Sequence, residues 1–535
     1  MKKFTLTLHV RNKIHFFQIT KEENILSILE REGIKISSPC GGYGSCGKCC
    51  IHYLSPPPEP TPAEIKNLTD DELDKGIRLA CQHTISKNTD LKSVNDKQAN
   101  NLQILSKGLV PEHRLEPDII TKPEYGQQSG LAIDIGTTTL VISLFDLKTG
   151  RRLGLATARN PQERFGADII SRATAATESP ENLKTLQVLL IQKLNKLIKT
   201  LTGKPETIVH TVIAGNTVMS HLFLGISIDT LVTAPYIAPF TEMKSLDGNS
   251  SGLCVHPQGK VTILPGIGSF IGGDISADLL VSQVVLPEHS RYLLMDLGTN
   301  CEIVLMTPNF AVAASAPAGP VMEGSGIAFG MQAEPGALSD LVYDKNNEFQ
   351  LVTIGNRKVR GICGSGLIHT IHTLGKMNVI SPDGRFNTGT PYADRKNGFR
   401  IDKRIRLTPK DIRAYQMAKS AITSTWKLLL QDSGMTCDDL DYLVIAGGFG
   451  HYIRPEAGIE LGLFPKMQPD AFLYLGNGSL TGCELVLRNK KFIPDIISLA
   501  EKTQHSEMAG REDFQETYVG NMGVMSAECR VLSCE

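Results

Sequence analysis

The sequence predicts a multidomain chain of α+β and α/β type: a small cysteine-bearing N-terminal domain, a polar linker, and a larger unit built of two related halves. Three observations carry this. The length of 535 residues suits three or four domains at about 150 residues each. Five of the twelve cysteines (Cys40, Cys46, Cys49, Cys50 and Cys81) fall in the first 81 residues. An Asp-[Ile/Leu]-Gly-Thr motif occurs at Asp134 and again 162 residues later at Asp296, and a motif repeated at domain scale points to duplication.

Composition narrows the function classes. Lys plus Arg is 55 and Asp plus Glu is 56, a net charge of −1, with 41% hydrophobic and 21% charged residues. That balance gives no general attraction to nucleic acid or to an anionic membrane. The longest apolar runs, such as Leu186 to Ile191, are far shorter than the eighteen or so residues of a membrane span. The basic start Met1-Lys2-Lys3 leads into alternating Thr and Leu, not into the apolar core of a signal peptide. The expectation is a cytoplasmic protein with neither nucleic acid nor membrane as partner. In such a chain, clustered cysteines bind metal or do redox work more often than they form disulfides.

Taken in order, residues 4–10 and 14–19 alternate apolar and polar about a short turn, the pattern of a β-hairpin. A helix is expected over Asn24 to Glu30, with Ile25, Ile28 and Leu29 on one face. The loop Ser38-Pro39-Cys40-Gly41-Gly42-Tyr43-Gly44-Ser45-Cys46-Gly47-Lys48-Cys49-Cys50 and the distant Cys81 space four thiols as C-x5-C-x2-C-x31-C. Three thiolates on a glycine-rich loop and a fourth from afar suit a 2Fe-2S cluster, because glycines let backbone N–H groups turn toward the sulfurs. The first gap is one residue longer than the plant-type spacing, and here the loop resembles the hydroxylase-type ferredoxins. A structural zinc site is the alternative for four thiolates. The loop also spells G-x-G-x-x-G, but no strand-to-helix unit frames it, and Cys49 stands where a P-loop needs Ser or Thr. Cys50 points the other way from Cys49 in an extended segment and reads as a bystander. The Thr69-Asp70-Asp71-Glu72 capping box is expected to open a short helix that delivers Cys81.

Residues 92–128 are polar and read as a linker, with a helical stretch near Leu102 to Leu109. From Gly130 the text becomes strand, Gly-Thr turn, strand, and the construction recurs around Asp296. Glycine and small hydroxyl residues at a hairpin tip leave backbone N–H groups and Thr hydroxyls free for phosphate oxygens. Gly136, Thr137 and Thr138, with Gly298, Thr299 and Asn300, are the candidate phosphate contacts. Asp134 and Asp296 project from the strand ends toward a hydrated Mg2+ ion. In Ala446-Gly447-Gly448-Phe449-Gly450, after a strand, Gly447 and Gly448 let the backbone lie against adenosine. Asp274 after Gly272-Gly273 could orient water, or simply start a helix over Ile275 to Val281. Glu302 is read evenly as a functional or a solvated residue, Asp168 and Arg172 as an i,i+4 ion pair, Cys363 as a packed residue, and Cys529 with Cys534 as ordinary thiols.

These hairpins and the Ala-Gly-Gly loop resemble the acetate and sugar kinase, heat-shock ATPase and actin superfamily. The segments Asn160 to Arg172, Ala214-Gly215-Asn216-Thr217, Leu264-Pro265, Gly272-Gly273-Asp274, Pro317 to Pro320, Glu323-Gly324 and Gly361 to Gly366, together with the cysteine loop, resemble the ATP-dependent reductive activators of corrinoid proteins from about residue 1 to residue 500. The resemblance implies a β-grasp ferredoxin-like domain over 1–91, a linker over 92–128, the two halves of an ATPase over 129–288 and 289–500, and a polar tail over 501–535.

It further implies that Cys40, Cys46, Cys49 and Cys81 hold a 2Fe-2S cluster, and that ATP and Mg2+ bind the larger unit. One electron would pass to the Co(II) corrinoid of a methyltransferase system and restore Co(I). The partners implied are a corrinoid protein and an upstream electron donor; a homodimer is compatible with the residues and not fixed by them. Three rivals stand beside this reading. A small-molecule kinase with a fused ferredoxin domain leaves the cysteine loop without a purpose. An electron-injecting activator of a dehydratase or reductase usually holds a 4Fe-4S cluster between subunits. A redox chaperone would use nucleotide only as a switch.

Overall fold

The computed structural model describes residues 4–10, 13–19, 22–32, 34, 49–68, 70–93, 114–118 and 128–526, the last stretch without 167, 299, 325, 345–347, 388, 390–391, 395, 449 and 509. Cys40, Cys46, the rest of the glycine-rich loop, the helical stretch near 102–109 and the pair Cys529 and Cys534 lie outside the described residues. The chain divides into two compact units, Met1–Ser106 with Gly154–Thr157, and Lys107–Leu153 with Ala158–Glu535. Among the described residues no helix is long and apolar enough to cross a membrane.

In the first unit the two-residue period of Phe4–Val10 (β1) buries Leu6 and Leu8 completely. Lys13–Ile19 (β2) returns antiparallel, with Thr7 opposite Phe16. Ile25–Arg31 (α1) turns Ile25, Ile28 and Leu29 into the same core as the strands, and Asn24 Oδ1 accepts the Leu26 N–H at its start. Cys50–Tyr53 (β3), Ile77–Leu79 (β4) and Thr89–Ser93 (β5) complete a sheet of order β2-β1-β5-β3-β4, with β1 parallel to β5. A mixed sheet packed on one helix is the expected β-grasp form. The route to Cys81 differs from expectation. Asp70–Asp74 is a helix of five residues, and β4 with a 3-10 turn over Ala80–Gln82 carries Cys81. A complete capping box occurs at Thr61 and Glu64, opening Pro62–Asn67 (α2); Thr69, the expected cap of the later helix, lies outside the described residues.

Residues 129–526 hold two six-stranded sheets with a shared plan. In the first, Ser129–Ile135 (β6), Thr139–Asp146 (β7), Arg152–Arg159 (β8), Ile208–Gly215 (β9), Lys244–Asp247 (β10) and Lys260–Ile263 (β11) lie in the order β8-β7-β6-β9-β11-β10. In the other, Tyr292–Leu297 (β12), Cys301–Met306 (β13), Ala311–Ala316 (β14), Tyr442–Ala446 (β15), Phe472–Gly476 (β16) and Thr503–His505 (β17) lie in the order β16-β15-β12-β13-β14-β17. Leaving out the edge strands β10 and β17, each sheet reads 3-2-1-4-5. Its first two strands form the Asp-Gly-Thr hairpin, and the fourth and fifth run parallel to the first. The duplication read from two short motifs is thus a duplication of topology.

Four helices of this unit matter below: Ile169–Glu178 (α3), Thr217–Leu224 (α4), Gly273–Val285 (α5) and Gly478–Arg488 (α6). The last follows β16 of the second half yet packs on β6, β9 and α5 of the first. Gly482 allows that approach, since a Cβ there would stand 2.5 Å from the Ala277 Cβ. Of the segment read as a polar tail, the described residues up to 526 are folded: β17 pairs with β14, Glu512–Gly520 (α7) follows, and Met508, Phe514 and Val524 enter the core. Those three apolar anchors outweigh the polar average. In the linker, Glu116 bridges to Asn489 and Asp118 pairs with Lys260.

Glu64 gives a stability test of the first unit. It is fully buried and accepts from Thr61 N at 2.8 Å, Leu79 N at 2.6 Å and His83 Nε2 at 2.9 Å. Burial alone would raise its pKa, but the bonds from His83, Thr61 and Leu79 outweigh that and hold it below the usual range. A depressed carboxylate stabilises the fold above its unfolded pKa, and that contribution is lost as pH falls through the folded one. Glu64→Ala orphans these donors and should cost about 3 kcal/mol at neutral pH, with less difference from the parent at pH 3. Urea unfolding of both chains at the two pH values checks this; equal stability at neutral pH would refute it.

Candidate functional site

Both hairpins close on a glycine amide: Gly136 N donates to Thr139 O and Gly298 N to Asn300 O, each at 3.0 Å. No side chain fits at Gly136, where a Cβ would stand 2.6 Å from the Thr139 carbonyl oxygen. The first tip is held from behind. Asn160 donates its N–H to Thr138 O and its Nδ2 to Gly136 O, both at 2.9 Å, while Asn216 Nδ2 donates to Thr137 Oγ1 at 3.0 Å. Thr299 at the second tip lies outside the described residues. Glu323 stands between the hairpins: its Oε2 accepts from Thr138 Oγ1 at 3.3 Å, and its Oε1 is 3.9 Å from where a Gly298 Cβ would lie. Gly447 has a φ of 84°, donates to Gly476 O, and would place a Cβ 2.5 Å from Asp296 Oδ1. Only glycine brings the backbone of the Gly447-Gly448 turn this close to the second hairpin.

Around the hairpins the structure gathers carboxylates. Asp134, Asp274 and Asp296 are half-buried, while Asp278 and Glu302 are 1% and 5% exposed, with both oxygens of Asp278 and Oε1 of Glu302 lacking a hydrogen-bond partner. Asn477 Nδ2 donates to Asp134 Oδ2 at 2.9 Å and Ser479 Oγ to Asp134 Oδ1 at 3.0 Å, so the start of α6 orients this carboxylate. Asp274 lies in the first turn of α5, capped by Gly272, and accepts from Ile275 N. Burial pushes Asp134 up to about 6 against those two hydrogen bonds. Burial and then the charge of Asp134 push Asp274 to about 7, and burial with Asp274, Asp134 and Glu323 pushes Asp296 to about 8. Asp278 and Glu302 are raised well above the ordinary range, first by burial and then by the same neighbours. Like charges in one low-dielectric space cannot all ionise without a cation. An all-oxygen acidic donor set is of the kind a hard divalent ion such as Mg2+ takes, but among the described residues no three of these acids are arranged to hold one directly.

Several expectations are refined here. Asp296 and Glu302 face each other across the β12–β13 ladder, which turns both to one face and makes Glu302 a buried member of the cluster. Asp168 does not pair with Arg172; it caps α3, accepting from Ser171 N and Oγ at 2.8 Å, and Arg172 Nε donates to Gly166 O. Asp278, Asn477 and Ser479 escape a motif search. Asn-Gly-Ser directly after a strand was their one signal, a helix cap whose side chains here also serve Asp134. Cys363 is buried, as expected.

In the first unit Cys49 and Cys81 are 0% and 7% exposed, and the Ala80 N–H donates to Cys49 O at 2.8 Å, so the two segments lie side by side. Asn24 Nδ2 donates to Cys81 O, and Gln82 Nε2 approaches Cys81 Sγ at 3.4 Å. Buried thiols on facing segments with N–H groups near sulfur fit an iron-sulfur cluster. Cys50, on β3, is half-buried.

A β-grasp cysteine domain joined to two duplicated Asp-Gly-Thr sheets defines a class, iron-sulfur proteins with an ASKHA nucleotide-binding domain. Family models match in that order: the 2Fe-2S iron-sulfur cluster binding domain over residues 8–86, the RACo middle region over 129–286, and the C-terminal, ASKHA domain of RACo over 290–533. The corrinoid activation enzyme RamQ of Eubacterium limosum is 35% identical over 425 residues, covering 75% of this chain and 70% of that protein. The [Co(II) methylated amine-specific corrinoid protein] reductase of Methanosarcina barkeri is 26% identical over 431 residues, 73% of this chain and 76% of the other. A solved structure, titled reductive activator for corrinoid, iron-sulfur protein, superposes with a TM-score of 0.68 at 26% identity over 97% of this chain and 98% of that one. The chain belongs to the RACo family.

The raised carboxylates give a pH test. Asp134, Asp274 and Asp296 keep their protons in the folded chain to about 6, 7 and 8, whereas the unfolded chain releases them near 4. Stability of the ligand-free protein should therefore fall as pH rises through that window. Asp296→Asn, which removes one charge at constant shape, should melt higher than the parent at pH 8 and lose less between pH 6 and 8. Parallel melting curves for both proteins across that range would show that the cluster carries no such strain.

Proposed function

We propose that this protein reductively activates a corrinoid protein of a methyltransferase system, moving one electron to Co(II) and restoring Co(I) at the cost of ATP. The observation that carries the reading is the presence, on one chain, of a 2Fe-2S domain and of an ASKHA domain whose two hairpins are surrounded by carboxylates. A kinase has no use for the first, and a simple ferredoxin has none for the second. The names of the relatives support the same reaction.

When bound, the cluster supplies a one-electron source and Mg2+ supplies positive charge beside the phosphates. Cys40, Cys46, Cys49 and Cys81 hold the cluster. The amides and hydroxyls of Gly136, Thr137, Thr138, Gly298, Thr299 and Asn300 cradle the phosphates, and the turn at Gly447 and Gly448 lies against adenosine. Asp134, kept in place by Asn477 and Ser479, and Asp296 hold the metal's water shell. Asp274 takes the proton end of the attacking water. Glu323, already bonded to Thr138, meets an incoming phosphate of like charge, so nucleotide and the Glu323–Thr138 contact compete. That competition is how occupancy of the site can change the conformation of the ASKHA domain. The energetic need is plain: each 59 mV or so of uphill potential costs a factor of about ten in a one-electron equilibrium. An upstream reductant reloads the cluster, and the reaction takes place in the cytoplasm.

Two outcomes test this. In an anaerobic assay followed by absorbance, a Co(II) corrinoid protein should reach Co(I) only with ATP present; equal reduction without nucleotide would sink the energy coupling. Asp134→Asn should lower ATP turnover about 100-fold while leaving the visible spectrum of the cluster unchanged. Cys46→Ala should do the reverse, abolishing that spectrum and sparing ATP binding.

A further inference from the structure

Six carboxylates around two hairpins leave open which side chain offers the nucleotide phosphates a permanent positive charge. Arg172, on α3, is fully buried. Its Nε donates to Gly166 O at 2.8 Å, its Nη1 approaches Met219 Sδ at 3.8 Å, and its Nη2 has no hydrogen-bond partner. The two acids whose fields reach it are engaged elsewhere, Asp168 with Ser171 and Glu163 with Arg159 at 3.7 Å. Burial lowers the guanidinium to about 10 against the pull of Glu163 and Asp168, so it stays charged at neutral pH. A buried charge without a counterion is costly and persists where something compensates it.

The contacts around Arg172 lead to the first hairpin. Met219 Sδ, which meets Nη1, also receives Asn160 Nδ2 at 3.6 Å, and that same amide donates to Gly136 O. Asn160 N donates to Thr138 O. Asn216, the N-cap of α4, accepts from Met219 N at 3.0 Å and donates to Thr137 Oγ1. The guanidinium, itself fully buried, therefore lies two side chains, Met219 and Asn160, behind the Gly136–Thr138 turn.

We propose that Arg172 is a positioning residue for the nucleotide: its buried charge behind the Gly136–Thr138 turn raises affinity in proportion to the phosphate charge on the far side. The inference rests on the nucleotide reading above. Arg172 does not touch the phosphates; it acts through the hairpin and through a medium that screens its field little. Its effect thus depends on ligand charge, whereas a packing role would not.

The test is calorimetric titration of the full chain with ATP, ADP and adenosine in the presence of Mg2+, for the parent, R172M, R172Q and R172K. Loss of the charge should weaken ATP about tenfold, ADP about threefold and adenosine less than twofold, with R172K recovering most of the ATP affinity. Equal losses for all three ligands, or an R172K no better than R172M, would overturn the proposal. R172Q replaces R172M if the latter does not fold. If neither neutral variant folds, R172K must keep the parent's ratio of ATP to adenosine affinity, and a collapsed ratio refutes the idea. A parent that binds adenosine and ATP alike, or binds neither, would count against the nucleotide reading itself, before Arg172 enters.

Discussion

Mutual repulsion among the carboxylates at the two hairpins is the constraint on which the rest of the larger unit turns. Asp134, Asp274, Asp278, Asp296 and Glu302 are all pushed up by burial and, Asp134 apart, by one another. Such an arrangement opposes folding unless other contacts fix it. The fixing contacts are identifiable. Asn477 and Ser479 satisfy Asp134, and Gly447 and Gly478 remove the side chains that would collide with Asp296 and Asp278. Here a glycine is less a flexible joint than a missing obstacle.

Duplication explains how the carboxylates come to lie together. In each sheet the first strand carries an aspartate as its next-to-last residue, turns on a glycine amide and returns antiparallel, while two parallel strands lie on the other side. In open sheets with parallel strands, ligands gather beyond the carboxyl ends of the strands. Asp134 and Asp296 occupy that position in their respective halves. The halves are not identical in use, however. Asn160 and Asn216 hold the first hairpin from behind, whereas the second is set by the Asp296–Glu302 register and the close approach of Gly447.

Much of this was legible in the sequence because it is local. The two Asp-Gly-Thr hairpins, the β1–β2 hairpin and the apolar face of α1 each lie within about twenty residues, and period and turn chemistry suffice to read them. What escaped depends on contacts across hundreds of positions. Asn477 and Ser479 serve an aspartate 343 and 345 residues away, and nothing near them in the sequence reveals that. Glu302 was ambiguous because alternation assigns a face but not what covers it. Asp168 and Arg172 have the spacing of an ion pair, yet Asp168 gains more by capping α3, where the Ser171 amide and hydroxyl are both within reach. The polar composition after residue 500 likewise concealed three apolar anchors, since a mean over 35 residues dilutes them.

Helix α6 shows how far such long-range contacts determine the unit. It belongs by sequence to the second half and by packing to the first. Its N-terminal end holds Asp134. Further along, Glu484, 1% exposed, accepts from Arg152 Nη2 at 2.6 Å and from Ser143 Oγ at 2.7 Å. A pair in which one partner is buried and doubly bonded is expensive to break, because the carboxylate would be left without compensation. The second half is therefore fastened to the first through α6, at Asp134 on one end and at Glu484 further along. By contrast, Thr138–Glu323 and Arg159–Gln332, which also join the halves, are single bonds of 3.3 and 3.1 Å, the former directly between the hairpins and the latter exposed. Long single bonds in reach of water contribute little. The halves are thus joined strongly at α6 and weakly at Glu323, beside the Gly136–Thr138 turn.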